Sequence, residues 1–180
     1  MSEQSAYLAL AGLAALSRRS AKGLPAQIDS VQRWSGIGFS FLGHKFVTSM
    51  GQVTELMEVP VSTRLPGVQP WVLGLSNVRG RLLPLFDLPQ YFGGHIGGQK
   101  KSHRVLVLET GGLYSGIVVD GAYGMQHFNA DSFGEYQGDL PEEVMPFVDG
   151  AYRDASGEQW LVFDVVKLAT DAKFINAALV

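Results

Sequence analysis

Cysteine is absent from the 180-residue chain, which excludes a disulfide framework, a thiolate nucleophile and a thiolate metal site. Positive charge is also scarce. Fourteen Lys and Arg face 17 Asp and Glu for a net charge of -3, so the cationic excess that a polyanion demands is missing. The basic runs Arg18-Arg19 and Lys100-Lys101 read as solvated helix-end or loop charges. Histidine is limited to His44, His95, His103 and His127. None lies in an HExxH or beside a carboxylate at ligand spacing, so no metal site is expected. There is no GxSxG elbow, GxGxxG or GxxxxGK[ST], and Gly36-Ile37-Gly38 lacks both the third glycine and the helix that phosphate cradling needs. Long apolar runs are lacking too. The run from Ala6 to Leu16 is too short to span a bilayer, and Glu3 precedes it while Arg18-Arg19 follow, the reverse of a secretory signal. Cytoplasmic residence is the expectation, with a helix from about Ala6 to Lys22 stopped by Gly23-Leu24-Pro25.

What the chain does have is β-like. Trp71 to Phe86 reads as an apolar strand, a tight polar corner at Asn77 to Gly80, and a second apolar strand ended by Asp87. The pattern recurs. Trp71-Val72-x-Gly74, Gly80 and Phe86-Asp87 are echoed by Phe147-Val148-x-Gly150, Gly157 and Phe163-Asp164, with one extra residue in the second corner. Two hairpins of one plan predict two small β subdomains, each with a carboxylate at the same place.

Further short segments fit strands: Ile37 to Phe41, Lys45 to Ser49, Gln52 to Val59, Arg104 to Glu109 and Leu113 to Val119. Gly93 to Gly98 holds four glycines, so residues 93–102 read as a mobile connection between subdomains. Residues 122–146 read as a polar, acidic stretch, and a final helix is expected from Val165 to about Phe174. About ten short strands with little helix between them cannot make a parallel sheet, because parallel neighbours need crossovers. Small antiparallel barrels, whose closure hides short edges, are the predicted architecture.

Few side chains offer chemistry. Asp87 and Asp164 could form a carboxylate pair for acid-base work, but each ends a strand before a turn or helix, where capping of free N–H groups is the stronger reading. Trp34, Phe39, Phe41 and Trp71 could stack bases, as in an OB- or SH3-like single-stranded nucleic-acid binder; with so few cations nearby they fit a core better. Arg79 stands at a tight corner beside Gly80, either as a solvated turn arginine or paired with Glu55 from the preceding strand.

Gly74-Leu-Ser-Asn77-Val-Arg79-Gly80-Arg-Leu-Leu-Pro84-Leu-Phe-Asp87-Leu88 resembles the G-x-x-N-x-R-G-x-x-x-P-x-x-D-L signature of CheW-type chemotaxis coupling domains. Val53 to Leu56 resembles the family's V-x-E-I/L strand, and Trp160 to Asp164 its C-terminal end, so the likeness covers about residues 30–175. Val78 and Phe86 depart from its usual residues. Leu24-Pro25-Ala26-Gln27 and Trp34 to Phe39 resemble the PilI-type branch, which serves type IV pilus twitching systems. The resemblance implies two five-stranded SH3-like barrels sharing a core, residues 29–180, behind an N-terminal helical segment, residues 1–28. It also implies a non-catalytic, cofactor-free scaffold. Its partners would be the regulatory domain of a CheA-like histidine kinase and the cytoplasmic tip of a methyl-accepting receptor, with membrane association only through the receptor. Carried over by position, Glu55 and Arg79 match a charged pair of the family. Val53 and the corner Gly74, Asn77, Arg79 and Gly80 fall in its partner-contact regions.

Overall fold

The structure, a computed structural model, describes residue 13 and residues 32–177. Of the helix expected over residues 6–22 only Leu13 is described, and it is helical; the rest lies outside the described residues. The remaining chain forms ten strands: β1 (Arg33–Phe41), β2 (His44–Ser49), β3 (Val53–Glu58), β4 (Val72–Val78), β5 (Arg81–Asp87), β6 (Arg104–Thr110), β7 (Leu113–Val119), β8 (Gly121–Asn129), β9 (Val148–Arg153) and β10 (Gln159–Phe163). Three short α-helices follow strands or one another: α1 (Leu88–Tyr91), α2 (Val165–Thr170) and α3 (Ala172–Ile175).

Two five-stranded sheets result, in the orders β8-β1-β2-β10-β9 and β3-β6-β7-β5-β4. Their plans superimpose if β3, β4, β5, β6 and β7 are matched to β8, β9, β10, β1 and β2. Each sheet then has one parallel pair, β5 with β7 and β2 with β10, and the other pairs are antiparallel. The duplicated hairpins agree residue by residue. Val72 faces Phe86 and Gly74 faces Leu85 across one bulge; Val148 faces Phe163 and Gly150 faces Val162 across the other. Both bulges need glycine. Gly74 and Gly150 have φ of 136° and 154°, and a Cβ on either would run into the backbone of a crossing segment, at Thr63 and Gly134.

Those crossing segments are where the architecture departs from expectation. Thr63 bridges Leu75 and Gly134 bridges Ala151, each as one isolated pair, and among the described residues no continuous ladder joins β3 to β4 or β8 to β9. The sheets are therefore open rather than closed barrels. The polar chain after β3 and β8 carries Pro60, Pro66 and Pro70 in one case and glycines in the other, and it cannot sustain a ladder.

The two sheets are welded by aromatic packing. Phe39, Phe41, Phe46 and Phe163 of one sheet lie fully buried with Trp71, Phe86 and Leu106 of the other in a single core. Each sheet also sends its short helix across. After β5, Phe92 at the C-terminal end of α1 lies 5.7 Å from Phe41 of the opposite sheet and 5.3 Å from Phe147, the residue before β9. After β10, α3 places Phe174 5.8 Å from Trp71 and 4.8 Å from Phe86. Smaller cores lie under each sheet, one built on Leu83, Leu85, Val105 and Val107, the other on Val47, Phe128, Tyr152 and Trp160.

Two other expectations change. The acidic stretch begins with a nine-residue strand, β8, whose exposed Tyr123, Met125 and His127 alternate with half-buried residues. The final helix is two, broken where Asp171 turns extended (φ -68°, ψ 129°) to cap α3. The glycine-rich segment runs from α1 to β6, which lies in the same sheet as β5; in it the Gly97 amide donates to the Asp120 carboxylate at 2.6 Å, and His103 Nε2 lies 2.8 Å from the Gly97 carbonyl. Those bonds offset the ordering cost that its composition implies.

Phe174 lies under 2% of exposure between Trp71, Phe86 and Tyr91, so truncation leaves a cavity between the sheets. Phe174→Ala is expected to lower unfolding free energy by about 3–5 kcal/mol in urea titrations, whereas Val166→Ala on the exposed face of α2 should stay within about 0.5 kcal/mol.

Candidate functional site: the Asn77–Gly80 corner

The corner between β4 and β5 is a two-residue hairpin turn in which Val78 pairs with Arg81. Arg79 and Gly80 both have positive φ, 53° and 81°, as the turn that matches strand twist requires. Glycine takes that conformation freely, but for arginine it costs about 1 kcal/mol. The Asn77 side chain compensates locally: its Oδ1 accepts the Gly80 N–H at 2.9 Å. Position 77 is exposed and Val78 is buried beneath it, so the corner is a stiff projection on a packed base.

Arg79 is held on one side only. Its Nη2 donates to Glu55 Oε1 at 2.8 Å; the Arg79 side chain is 79% exposed, the Glu55 side chain 28%. A pair this exposed contributes about 0–1 kcal/mol to stability, so its consequence is orientation: the guanidinium lies over β3 and keeps other N–H groups facing solvent. Next to it Arg81 stacks 3.8 Å over the Tyr114 ring and pairs with Glu109 at 3.1 Å.

The other expected residues fall out unequally. Val53 and Glu55 are both half-buried but the bulge between them turns them to opposite faces of β3: Val53, opposite Leu108, packs against the main core, and Glu55, opposite Val107, lies on the other face. Gly74 is buried under Thr63 at the bulge and presents nothing to a partner; its contribution is the shape of the strand. Leu82, 64% exposed and opposite Asn77, belongs to the projecting surface and was not singled out from the sequence. The consecutive Leu82-Leu83 was the available signal, since strand neighbours face opposite sides and only Leu83 can be interior.

The matching corner in the other sheet is chemically closed. Asp154 accepts from the Ser156 and Glu158 amides at 2.8 and 3.0 Å, the Ser156 hydroxyl at 2.6 Å and Trp160 Nε1 at 3.0 Å. Desolvation pushes its pKa up, yet the donated hydrogen bonds outweigh this and hold it at about 2. The two corners thus share a fold position and differ in what they offer: one spends its charge internally, the other displays a cation.

No reaction centre assembles from the remaining candidates. Asp87 Oδ1 accepts from the Gln90 amide at 2.8 Å to cap α1, and Asp164 Oδ1 accepts from the Val166 and Lys167 amides at 2.8 and 3.3 Å to cap α2. They end strands of different sheets. Burial raises the Asp87 pKa, with the Gln90 amide opposing it. Among the described residues no group of three His, Asp or Glu could hold a metal ion. The imagined base-stacking platform is interior: Phe39, Phe41 and Trp71 are buried and Trp34 stacks on Tyr152 at 4.7 Å. Gly36 and Gly38 serve that packing, since a Cβ at either would strike the rings of Trp34 and Trp160.

The family description "CheW-like domain" matches residues 35–173. Protein PilI of Pseudomonas aeruginosa is 44% identical over 162 residues, covering 90% of each chain. The chemotaxis protein CheW of Helicobacter pylori is 29% identical over 94 residues, 52% of this chain and 57% of its own. Among solved structures, the scaffolding protein TtCheW from Thermoanaerobacter tengcongensis has the same fold, with a TM-score of 0.66 at 20% identity over 79% of this chain and 96% of that one.

Two measurements test the contrast between the corners. Asn77→Ala should cost about 1 kcal/mol and speed hydrogen exchange at the Gly80 amide, because that donor loses its partner. Since the Asp154 pKa is depressed in the folded state, its stabilisation is complete above about pH 4 and lost as pH falls toward about 2. Urea titrations across that window should therefore show a shallower acid loss for Asp154→Asn than for the unsubstituted protein.

Proposed function

The chain belongs to the CheW-like domain family, and from that premise we propose that it is a non-enzymatic adaptor coupling a methyl-accepting receptor to a CheA-like histidine kinase. The observation that carries this reading is the Asn77–Gly80 corner, a stiff and exposed projection whose one charged group is only half satisfied. Such a corner recognises without reacting. Val53, Glu55, Asn77, Arg79 and Gly80 are the residues assigned to partner contact, with Gly74 shaping the strand behind them and Asp87 and Asp164 acting as structural caps.

The 44% likeness to a protein named PilI supports placing this chain in the PilI-type branch, and so in a chemosensory system that controls type IV pili. Residues 29–180 are taken as the coupling domain and residues 1–28 as an appended helical segment. Among the described residues no helix is long and apolar enough to cross a membrane. Cytoplasmic residence, with recruitment to the membrane through a receptor, belongs to the same proposal. No cofactor is required by this reading.

The mechanism is binding energy alone. Receptor and kinase held on one scaffold influence each other only if their contacts with it differ between signalling states. Several modest interfaces engaged together then give a strong assembly.

Arg79→Ala tests the assignment. Titration calorimetry with the regulatory domain of the CheA-like kinase from the same cell should show affinity reduced by roughly tenfold or more, with an unchanged melting temperature because the lost pair is exposed. Unchanged affinity would remove the corner from the interface. The same preparation, titrated with single-stranded oligonucleotides at rising salt, separates this reading from nucleic-acid binding, which must show salt-sensitive affinity.

A further inference from the structure

From Val105 to Tyr152 the chain contains no lysine or arginine, although it passes through parts of both sheets. The second half of that span, between β8 and β9, folds into a groove on the far sheet from the Arg79 corner. Glu135, Tyr136, Leu140, Met145, Val148 and Asp149 line it. Its base is firm, because Leu140, Val144 and Phe147 are buried in the main core and Gly134 is bridged to Ala151 of β9. Its lip is apolar and open: Met145 is 56% exposed, and Phe133, 48% exposed, leans on Tyr152 beside Gly150.

The charge around this groove is one-sided. Asp149 is paired with Lys167 at 2.6 Å, but among the described residues Asp131, Glu135, Asp139, Glu142 and Glu143 are exposed carboxylates without a cationic partner. An apolar patch left open in water raises the free energy of the isolated chain, and a cluster of like charges beside it adds repulsion. One kind of occupant relieves both: large apolar side chains to fill the groove, flanked by cations that meet the carboxylates.

We propose that this groove is a second docking surface, for a basic amphipathic segment of a partner polypeptide. The proposal rests on the adaptor reading for its supposition of a polypeptide partner, and it adds what that reading lacks, a contact surface on the other sheet. A scaffold with one docking surface per sheet can hold two partners without their competing for the same residues. Because β9 is the outer strand of its sheet, a bound segment meets the groove without displacing any strand of the fold.

The probe is a synthetic amphipathic peptide of Lys and Leu at helical spacing, with a scrambled peptide of the same composition as comparison. Both are titrated into the full-length protein at physiological salt while backbone amide resonances are followed. Saturable binding is expected, with shifts centred on Tyr136, Met145 and Val148. The triple substitution Glu135→Gln, Glu142→Gln, Glu143→Gln should weaken it roughly tenfold, and Met145→Ser should weaken it at unchanged charge. Arg79→Ala should bind the peptide as the unsubstituted protein does, so a failure here is separable from a failure of the kinase-binding corner. Equal affinity for the scrambled peptide, shifts centred elsewhere, or an unaffected triple variant would each overturn the proposal. So would a concentration-dependent dimer abolished by Met145→Ser, which would make a second copy of the chain the occupant.

Discussion

Each sheet completes the other's interior with a helix of its own: α1 ends by placing Phe92, its C-cap, against Phe41 and Phe147, and α3 carries Phe174 against Trp71 and Phe86. Everything else in the molecule depends on that exchange. Either five-stranded sheet alone would expose an aromatic face, and neither small core beneath a single sheet is large enough to offset the entropy of ordering it. The exchange begins at two aspartates. Asp87 and Asp164 each accept helix amides immediately after a strand, and the Asp87 and Asp164 amides themselves donate at 2.8 Å to Trp71 and Phe147 at the far end of their hairpins. The direction of each crossing helix is thereby tied to the hairpin it leaves. Tyr91 of α1 in turn donates to Asp171, which caps α3, so the two crossing elements are joined where they meet.

A scaffold built this way can afford asymmetry at its periphery. The two hairpins share bulge, register and cap, yet one corner is a two-residue turn displaying Arg79 and the other a longer turn in which Asp154 gathers four hydrogen bonds from its own neighbours. The difference lies in a handful of corner residues outside the core. Rigid placement matters more here than bond strength, since the Glu55–Arg79 pair is too exposed to stabilise the fold appreciably. Its worth to an adaptor is that the cation arrives already oriented, so less freedom is lost on binding.

The duplicated hairpins, the corner and the caps were all readable before the structure. Each is governed by residues within a few positions: Gly80 permits the positive φ, Asn77 reaches its amide three residues on, and Asp87 caps the turn that it precedes. For Arg79 the residues alone leave two readings, solvated or paired with Glu55, and the pair across 24 residues is the one that forms. Strand β8 was missed for the opposite reason. As an outer strand with one face in water it lacks a continuous apolar run, and its pairing partner β1 lies near the other end of the chain. The bond that holds Gly97 was not legible, because Asp120, whose carboxylate accepts from it, is 23 residues away.

Local chemistry, then, decided the strand-corner-strand units, their glycine bulges, the capped helix starts and the displayed arginine, because short-range sterics and hydrogen bonding act between neighbours in the chain. Long-range packing decided the rest: open sheets in place of closed barrels, the matching of β3–β7 to β8–β10 plus β1–β2, and the burial of Gly74 beneath Thr63. Those outcomes depend on which segments meet after folding, and no pattern of residue types along the chain encodes the single bridges at Thr63 and Gly134, where each sheet stops short of closing.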